Sequence, residues 1–265
     1  MDPNDVPLRI DPALLQRPDR PRIGVALGGG GARGFAHIGA LQALLAAGLP
    51  LDVVAGTSMG AVIGCAFVCG MDLGKLARLL QRLDLHQLLG VPHSPVPEMV
   101  ERTASELFKP AKWRQADQRK TLQQLEFYRL LTRDRHFEDV TTPFAAVACD
   151  VDTGREVVMR TGSLARALAA SVALPGIHDP IRWEGHLLVD GGVINKVPAR
   201  VAAALGAALV VAMDVSGMLA EGVNSSLAVL RQAQQITSRE LMWTQLELLR
   251  ARRGTRLVEI SPALA

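Results

Sequence analysis

Short apolar runs alternate with segments of helical period along most of this chain. Residues 23–27 (IGVAL) carry no polar side chain, the mark of a strand covered on both faces. A glycine-rich turn, Gly28 to Gly34, follows, and then an apolar helix over about 35–47. A second strand is expected over 51–55 and a second helix over 58–69. Residues 72–89 have helical period, with Leu73, Leu76, Leu79, Leu80 and Leu83 on one stripe. Further on, 144–151 reads as a strand, Asp152-Thr153-Gly154 as a turn, and 155–160 as the returning arm of a hairpin. A helix over 163–172 stops at Pro175-Gly176. A short strand over 186–189 ends at Asp190, and 198–205 reads as a helix. A buried strand over 208–215, a long amphipathic helix over 224–250 and a last strand over 256–260 complete the series. Strands alternating with helices in this way predict an α/β fold with a mainly parallel sheet covered on both faces.

Two stretches depart from the alternation. Residues 1–21 are polar and rich in Pro, Asp and Arg, and they read as a flexible arm without the apolar centre of a secretory signal. Residues 91–135 interleave basic and aromatic side chains, Lys109, Lys112, Trp113, Arg114, Arg119, Lys120, Phe127 and Tyr128 among them. That segment reads as a partly helical excursion or cap, and the rest, 22–265, as one domain. The uncharged stretch 53–71 approaches membrane-span length, but its glycines and the Thr57-Ser58 pair break it into strand, turn and helix.

Composition narrows the classes. At 265 residues with 49% apolar content the chain can bury a large core, built from small aliphatic residues because only 4% are aromatic. A net charge of +3 and a pI near 9.0 are too mild to argue for nucleic acid, though compatible with an anionic membrane surface. Three cysteines, Cys65, Cys69 and Cys149, form no metal-ligand pattern and read as buried thiols in a reducing compartment. The expected location is therefore cytoplasmic, with peripheral contact at the inner membrane surface.

Chemistry concentrates at Gly56-Thr57-Ser58-Met59-Gly60, between an apolar strand and an apolar helix. A serine at such a bend is pushed out of a strained turn, above free backbone N–H groups. The alternative is a serine that simply caps the helix. Gly29-x-Gly31-x-x-Gly34 also lies between a strand and a helix. It could cradle a pyrophosphate, but that reading needs an acid closing the next strand, and Asp52 opens that strand instead. Otherwise the turn is an oxyanion hole. Arg33 is read either as a brace on the loop through carbonyl contacts or as a solvated surface residue. Of the six histidines (37, 86, 93, 136, 178 and 186), none follows Asp190. A Ser-acid-His order would need Asp150 or Asp152 with His178 or His186, and no motif surrounds those pairs. Leu187-Leu188-Val189-Asp190-Gly191-Gly192 puts a carboxylate at a strand end before two glycines; a plain Asp-Gly turn is the alternative.

Together these motifs resemble the patatin-like phospholipase family, in particular its bacterial and neuropathy-target-esterase-like branch. The resemblance rests on Gly29-Gly30-Gly31-Ala32-Arg33-Gly34, Gly56-Thr57-Ser58-Met59-Gly60 and Asp190-Gly191-Gly192 in that order. Asp152-Thr153-Gly154, the segment from Ala167 to Ser171, Leu174-Pro175-Gly176 and Asn195-Lys196-Val197-Pro198 add to it. Here Gly28 precedes the glycines where plant patatins have Asp, and Gly192 closes a triplet that some members end in Ala. The resemblance implies a three-layer α/β/α fold and an acyl hydrolase acting on lipid or phospholipid esters without metal or organic cofactor. Carried over, Ser58 is the nucleophile and Asp190 the base. Gly29, Gly30, Gly31 and Met59 supply the oxyanion hole, with Arg33, Gly34, Gly56, Gly60, Gly191 and Gly192 in support. Two rivals remain: an acyltransferase of the same mechanism, and a non-catalytic anion or nucleotide binder using the glycine turn. Trp113, Phe127 and Tyr128, and the cluster Arg250, Arg252, Arg253 and Arg256, are read either as lipid-surface contacts or as ordinary cover and solvated helix end.

Overall fold

A computed structural model describes residues 19–82, 118–219, 222–223 and 226–263. The arm at 1–18, Leu83 of the leucine stripe, and the excursion over 91–117 with Trp113 lie outside the described residues.

The strands are β1 (Ile23–Leu27), β2 (Val53–Thr57), β3 (Phe144–Asp150), β4 (Arg155–Met159), β5 (Ile181–Trp183), β6 (His186–Asp190), β7 (Leu209–Met213) and β8 (Arg256–Ile260). The α-helices are α1 (Ala36–Ala46), α2 (Met59–Val68), α3 (Leu73–Arg82), α4 (Gln118–Thr132), α5 (Leu164–Ser171), α6 (Ala199–Ala204) and α7 (Ser226–Arg250). All eight strands join one sheet along the path β5-β6-β3-β2-β1-β7-β8, with β4 also on β3. The pairs β3/β2, β2/β1, β1/β7 and β7/β8 are parallel. The pairs β3/β4, β3/β6 and β5/β6 are antiparallel, so the parallel sheet carries an antiparallel wing. Strand β5, three residues long, was not foreseen; its alternation is too short to register.

The wholly apolar strands have a direct cause. Along β1, β2, β3 and β7 successive residues pack into two different cores, as the two-residue strand period requires. Val25, Leu27, Val54, Ala146, Ala148, Val211 and Met213 face one core, built with α1 to α5. Ala26, Val53, Ala55, Ala145, Val147, Val210 and Ala212 face the other, where Val201 of α6 and Met242, Leu246 and Leu249 of α7 cover them. The central sheet is thus flanked by helices on both faces. On α3 the buried positions are Leu73, Leu76 and Leu80, whereas Leu79 is exposed.

One pairing detail governs everything at the site. A strand has two edges. β4 overlaps both β2 and β6 along β3, so β2 and β6 must share the edge opposite β4. On that edge β2 ends with Thr57 opposite Val147, and the next rung is Ala148 opposite Asp190, the end of β6. The carboxyl ends of two strands running in opposite directions therefore abut.

Close approach of backbone to backbone makes this possible. A Cβ on Gly60 would stand 2.1 Å from the Leu27 carbonyl oxygen, and one on Gly191 would stand 2.3 Å from that of Val147. Gly60→Ala is therefore expected to destabilise the protein by about 3 kcal/mol, at the upper end of overpacking costs. Gly39 on α1 meets nothing within 4 Å of its Cβ direction, and Gly39→Ala is expected to stabilise by about 0.5–1 kcal/mol. Urea unfolding of both variants checks the contrast.

Candidate active site

Ser58 sits at the bend between β2 and α2 with φ 55° and ψ −127°, a conformation a non-glycine residue adopts only under tertiary constraint. Its side chain makes no capping bond to α2, which removes the reading of a plain N-cap. Its N–H donates to Ser171 Oγ at 2.9 Å, and that hydroxyl donates onward to the Val147 carbonyl at 2.7 Å. The last residue of α5 thus ties the strained turn to β3.

Asp190 is 3% exposed. Oδ1 accepts the Gly192 N–H at 2.7 Å, while Oδ2 is buried and makes no hydrogen bond of ordinary geometry. Burial pushes the carboxyl up to about 6; the neighbouring Ser58 hydroxyl, the Gly192 N–H and the Lys196 charge pull the other way. Beneath the site Tyr128 of α4 is 1% exposed with its hydroxyl unpartnered; burial, and then the Asp190 charge, push that phenol up.

The glycine turn faces the same spot, since a Cβ on Gly29 would stand 3.3 Å from Ser58 Cβ. Its N–H groups are not equivalent. Gly28 donates to Met213 O and Gly29 to Lys196 O, both at 3.0 Å. Gly29 is therefore corrected from an oxyanion donor to an anchor of the turn. The N–H groups of Gly30, Gly31 and Met59 have no acceptor among the described residues. Gly31 has φ +58° at the start of a one-turn 3₁₀ helix over Gly31–Phe35. Gly34 and Gly56 press on Met59 and Ala61, where a Cβ would stand at 2.3 and 2.5 Å. Among the described residues Arg33 makes no hydrogen bond to a loop carbonyl. It is exposed, and its guanidinium lies against Gly217 in the segment after β7.

His37 was not singled out, yet it holds the turn from below. Its Nε2 lies 2.8 Å from the Gly28 carbonyl, and burial lowers it to about 4, so the neutral ring donates there. The signal in the sequence was its place on the apolar face of α1. Ser171 carried a weaker signal, a hydroxyl in an alanine-rich helix.

Other expectations resolve plainly. His186 and Asp150 do meet, at 3.0 Å, but Asp150 also accepts from Thr153 and from the N–H groups of Asp152 and Leu187. This carboxylate closes the turn after β3, with no hydrogen bond to Ser58. Asp52 opens β2 at the far edge of the sheet, pairs with Arg20 at 2.6 Å and accepts the Ile23 N–H. It cannot meet a ribose at the glycine turn. Tyr128 is buried in the core, and Phe127, partly exposed, packs against it. Arg256 pairs in register with Leu209, which puts the Arg250–Arg256 cluster at the sheet edge opposite Ser58. Among the described residues no group of three or more potential metal ligands occurs, and no helix is long and apolar enough to cross a membrane.

Comparison with known proteins extends this geometry. The patatin-like phospholipase family matches residues 25–203, more than half of the chain and all of the site's motifs. The chain belongs to the patatin-like phospholipase family. An uncharacterized NTE family protein of Mycobacterium tuberculosis is 34% identical over 197 residues, covering 74% of this chain and 50% of the relative. The human patatin-like phospholipase domain-containing protein 6 is 35% identical over 196 residues, covering 73% of this chain and 13% of the relative. This patatin-like chain therefore spans half, or far less, of the length of these relatives. In fold it is similar to VipD from Legionella pneumophila, with a TM-score of 0.50 and 15% identity over 92% of this chain and 62% of that one.

The buried carboxyl generates a stability prediction. Asp190 titrates near 6 when folded and near 3.8 when unfolded, so from 3.8 to 6 the native state holds the extra proton. Stability contributed by that proton is present below 3.8 and is lost as pH rises through 6. Asp190→Asn is thus expected to be more stable than the parent above pH 6, on the order of 3 kcal/mol. The gain should vanish towards pH 4, as read from urea midpoints across pH.

Proposed function

We propose that this chain is a serine acyl hydrolase of lipid carboxylic esters, working through a Ser58-Asp190 dyad and a covalent acyl-enzyme. The observation that carries the reading is the abutment of β2 and β6 on one edge of β3, which sets the Ser58 hydroxyl beside the Asp190 carboxyl. Family membership supports lipid esters as the substrate class.

The chemistry follows from the groups in place. Ser58 attacks the ester carbonyl carbon while its proton passes to Asp190. A carboxylate is a weak base against an alcohol, so the proton moves together with attack rather than before it. Burial helps, because it raises Asp190 to about 6 and makes it a better acceptor while leaving it ionised at neutral pH. The tetrahedral oxyanion is held by the unengaged N–H groups of Gly30, Gly31 and Met59; Gly29 has no part in this, its own N–H being bound to Lys196. The α2 N-terminus adds its positive dipole end at the same point. Asp190 returns the proton to the leaving alcohol, then accepts one from the water that cleaves the acyl-enzyme. The Ser171 bridge to the Ser58 N–H holds the bend and leaves the Ser58 hydroxyl free.

A fluorophosphonate probe is expected to label Ser58, and peptide mapping checks it; labelling elsewhere removes the assignment. Ser58→Ala and Asp190→Asn should each cut ester hydrolysis by about 10⁴-fold, as dyad and triad deletions do, with circular dichroism unchanged. The kcat/KM of the wild type should rise with pH through a single limb near 6, where Asp190 loses its proton. A flat profile between pH 5 and 7.5 with rate-limiting chemistry would exclude Asp190 as the base.

A further inference from the structure

Asn195 ties three separate pieces of the site together, and a side chain from the antiparallel wing ties Asn195. Its carbonyl accepts from the Thr57 hydroxyl at 2.9 Å, beside the nucleophile. Its N–H donates to the Gly191 carbonyl at 2.8 Å, beside the base. The next carbonyl, that of Lys196, accepts the Gly29 N–H at 3.0 Å and anchors the glycine turn. Asn195 is 2% exposed. Its Nδ2 donates to Glu156 Oε1 on β4, and its Oδ1 has no partner among the described residues.

Glu156 reaches this knot because of where β4 places it. Val158 stands opposite Val147, which faces the core under α6 and α7, and Glu156, two residues away, shares that face. Its second oxygen lies 3.8 Å from Arg200 Nη2 of α6. The bond to Asn195 is charge-assisted, so it is stronger than a neutral one and fixes which end of the amide turns to β4. Ser238 and Gln245 of α7 hold the same loop, but at the carbonyls of Gly192 and Ile194, before the junction with the glycine turn. Residues 195 and 196 therefore take their side-chain tether from Glu156. Without it the buried amide has neither end bonded, and the cost of that is relieved by a shift of Asn195.

We propose that Glu156 is a positioning residue for the reaction: through Asn195 it keeps Thr57, Gly191 and Gly29 in register, and with them the nucleophile, the base and the oxyanion turn. The catalytic half of this inference rests on the Ser58-Asp190 reading; the tether does not.

The test compares Glu156→Ala, Glu156→Gln and Arg200→Gln with the parent on a soluble short-chain p-nitrophenyl ester, with active sites counted by fluorophosphonate titration. Glu156→Ala is expected to lower kcat by about 10²-fold and leave KM alone, the cost of an ångström-scale misplacement. Glu156→Gln keeps an acceptor for Asn195 Nδ2 and should recover kcat to within about fivefold of the parent, the difference between a charged and a neutral acceptor. Arg200→Gln removes the ion pair, leaves the hydrogen bond and should leave kcat unchanged. Amide hydrogen exchange in the peptides carrying Gly29 and Asn195 reads the tether without hydrolysis. It should quicken about tenfold in Glu156→Ala and not in Arg200→Gln. Asn195→Asp sets two carboxylates against each other, and adding Glu156→Gln, whose amide can donate, should recover kcat by about tenfold; that pair decides the matter if Glu156→Ala does not fold.

A parent protein that neither hydrolyses the ester nor takes up the probe at Ser58 removes the acyl-hydrolase reading, and exchange then still decides the tether. Unchanged kcat per active site in Glu156→Ala overturns the positioning role, whatever urea shows of its stability. No recovery in Glu156→Gln, or in the double variant, overturns the hydrogen bond as the cause. Exchange equal to the parent at both peptides overturns the tether itself.

Discussion

The edge of β3 that β2 and β6 share is the constraint on which the rest depends. Thr57 ends one strand opposite Val147, and Asp190 ends the other opposite Ala148. Two residues separated by more than a hundred positions in the chain become neighbours on consecutive rungs. Hydrogen-bonded pairing sets that spacing far more rigidly than loop packing could, which is what a proton transfer over a hydrogen-bond length requires. The antiparallel wing makes the arrangement available, because a parallel neighbour would have carried its carboxyl end past β2 rather than against it.

Placing a carboxylate there has a cost, and the structure offsets only part of it. Asp190 is surrounded by apolar β-sheet and by Tyr128, and it receives one backbone N–H. More donors would lower its free energy and also its basicity. The half-satisfied state matches what a base against an alcohol needs: ionised at neutral pH, yet keen for a proton. Asp150, a few ångströms along the same sheet, shows the opposite design. Four donors, His186 foremost, hold it down to about 2, and it serves as a fixed turn closure.

The same economy of donors shapes the glycine turn. The backbone N–H groups from Gly28 to Gly31 run consecutively along the turn, but the sheet and Lys196 claim those at Gly28 and Gly29. What remains is a set of three N–H groups from two separate strand-to-helix bends, brought together because Gly60 lets α2 sit directly on the end of β1. His37 and Ser171 each secure one of these bends through a single hydrogen bond. Rigidity at the site thus comes from buried polar side chains that touch backbone rather than substrate.

Most of the element order was legible along the chain, because buried strands and amphipathic helices announce themselves by local period; β1 and β8 fall on their expected residues. Ser58, Asp190 and the glycine turn were also legible, since a strained bend demands glycine neighbours that stand out in any context. Strand β5, the fate of the Gly29 N–H and the burial of Tyr128 were not. Each depends on which strand edge or helix face lies opposite, and pairing across long separations leaves no periodic trace in the residues themselves. The sequence by itself determined where the strained bends, the serine and the carboxylate lie along the chain. Only the tertiary structure decided which of their hydrogen-bonding groups remain free, because hydrogen bonds and charges are satisfied in space and not in order along the chain.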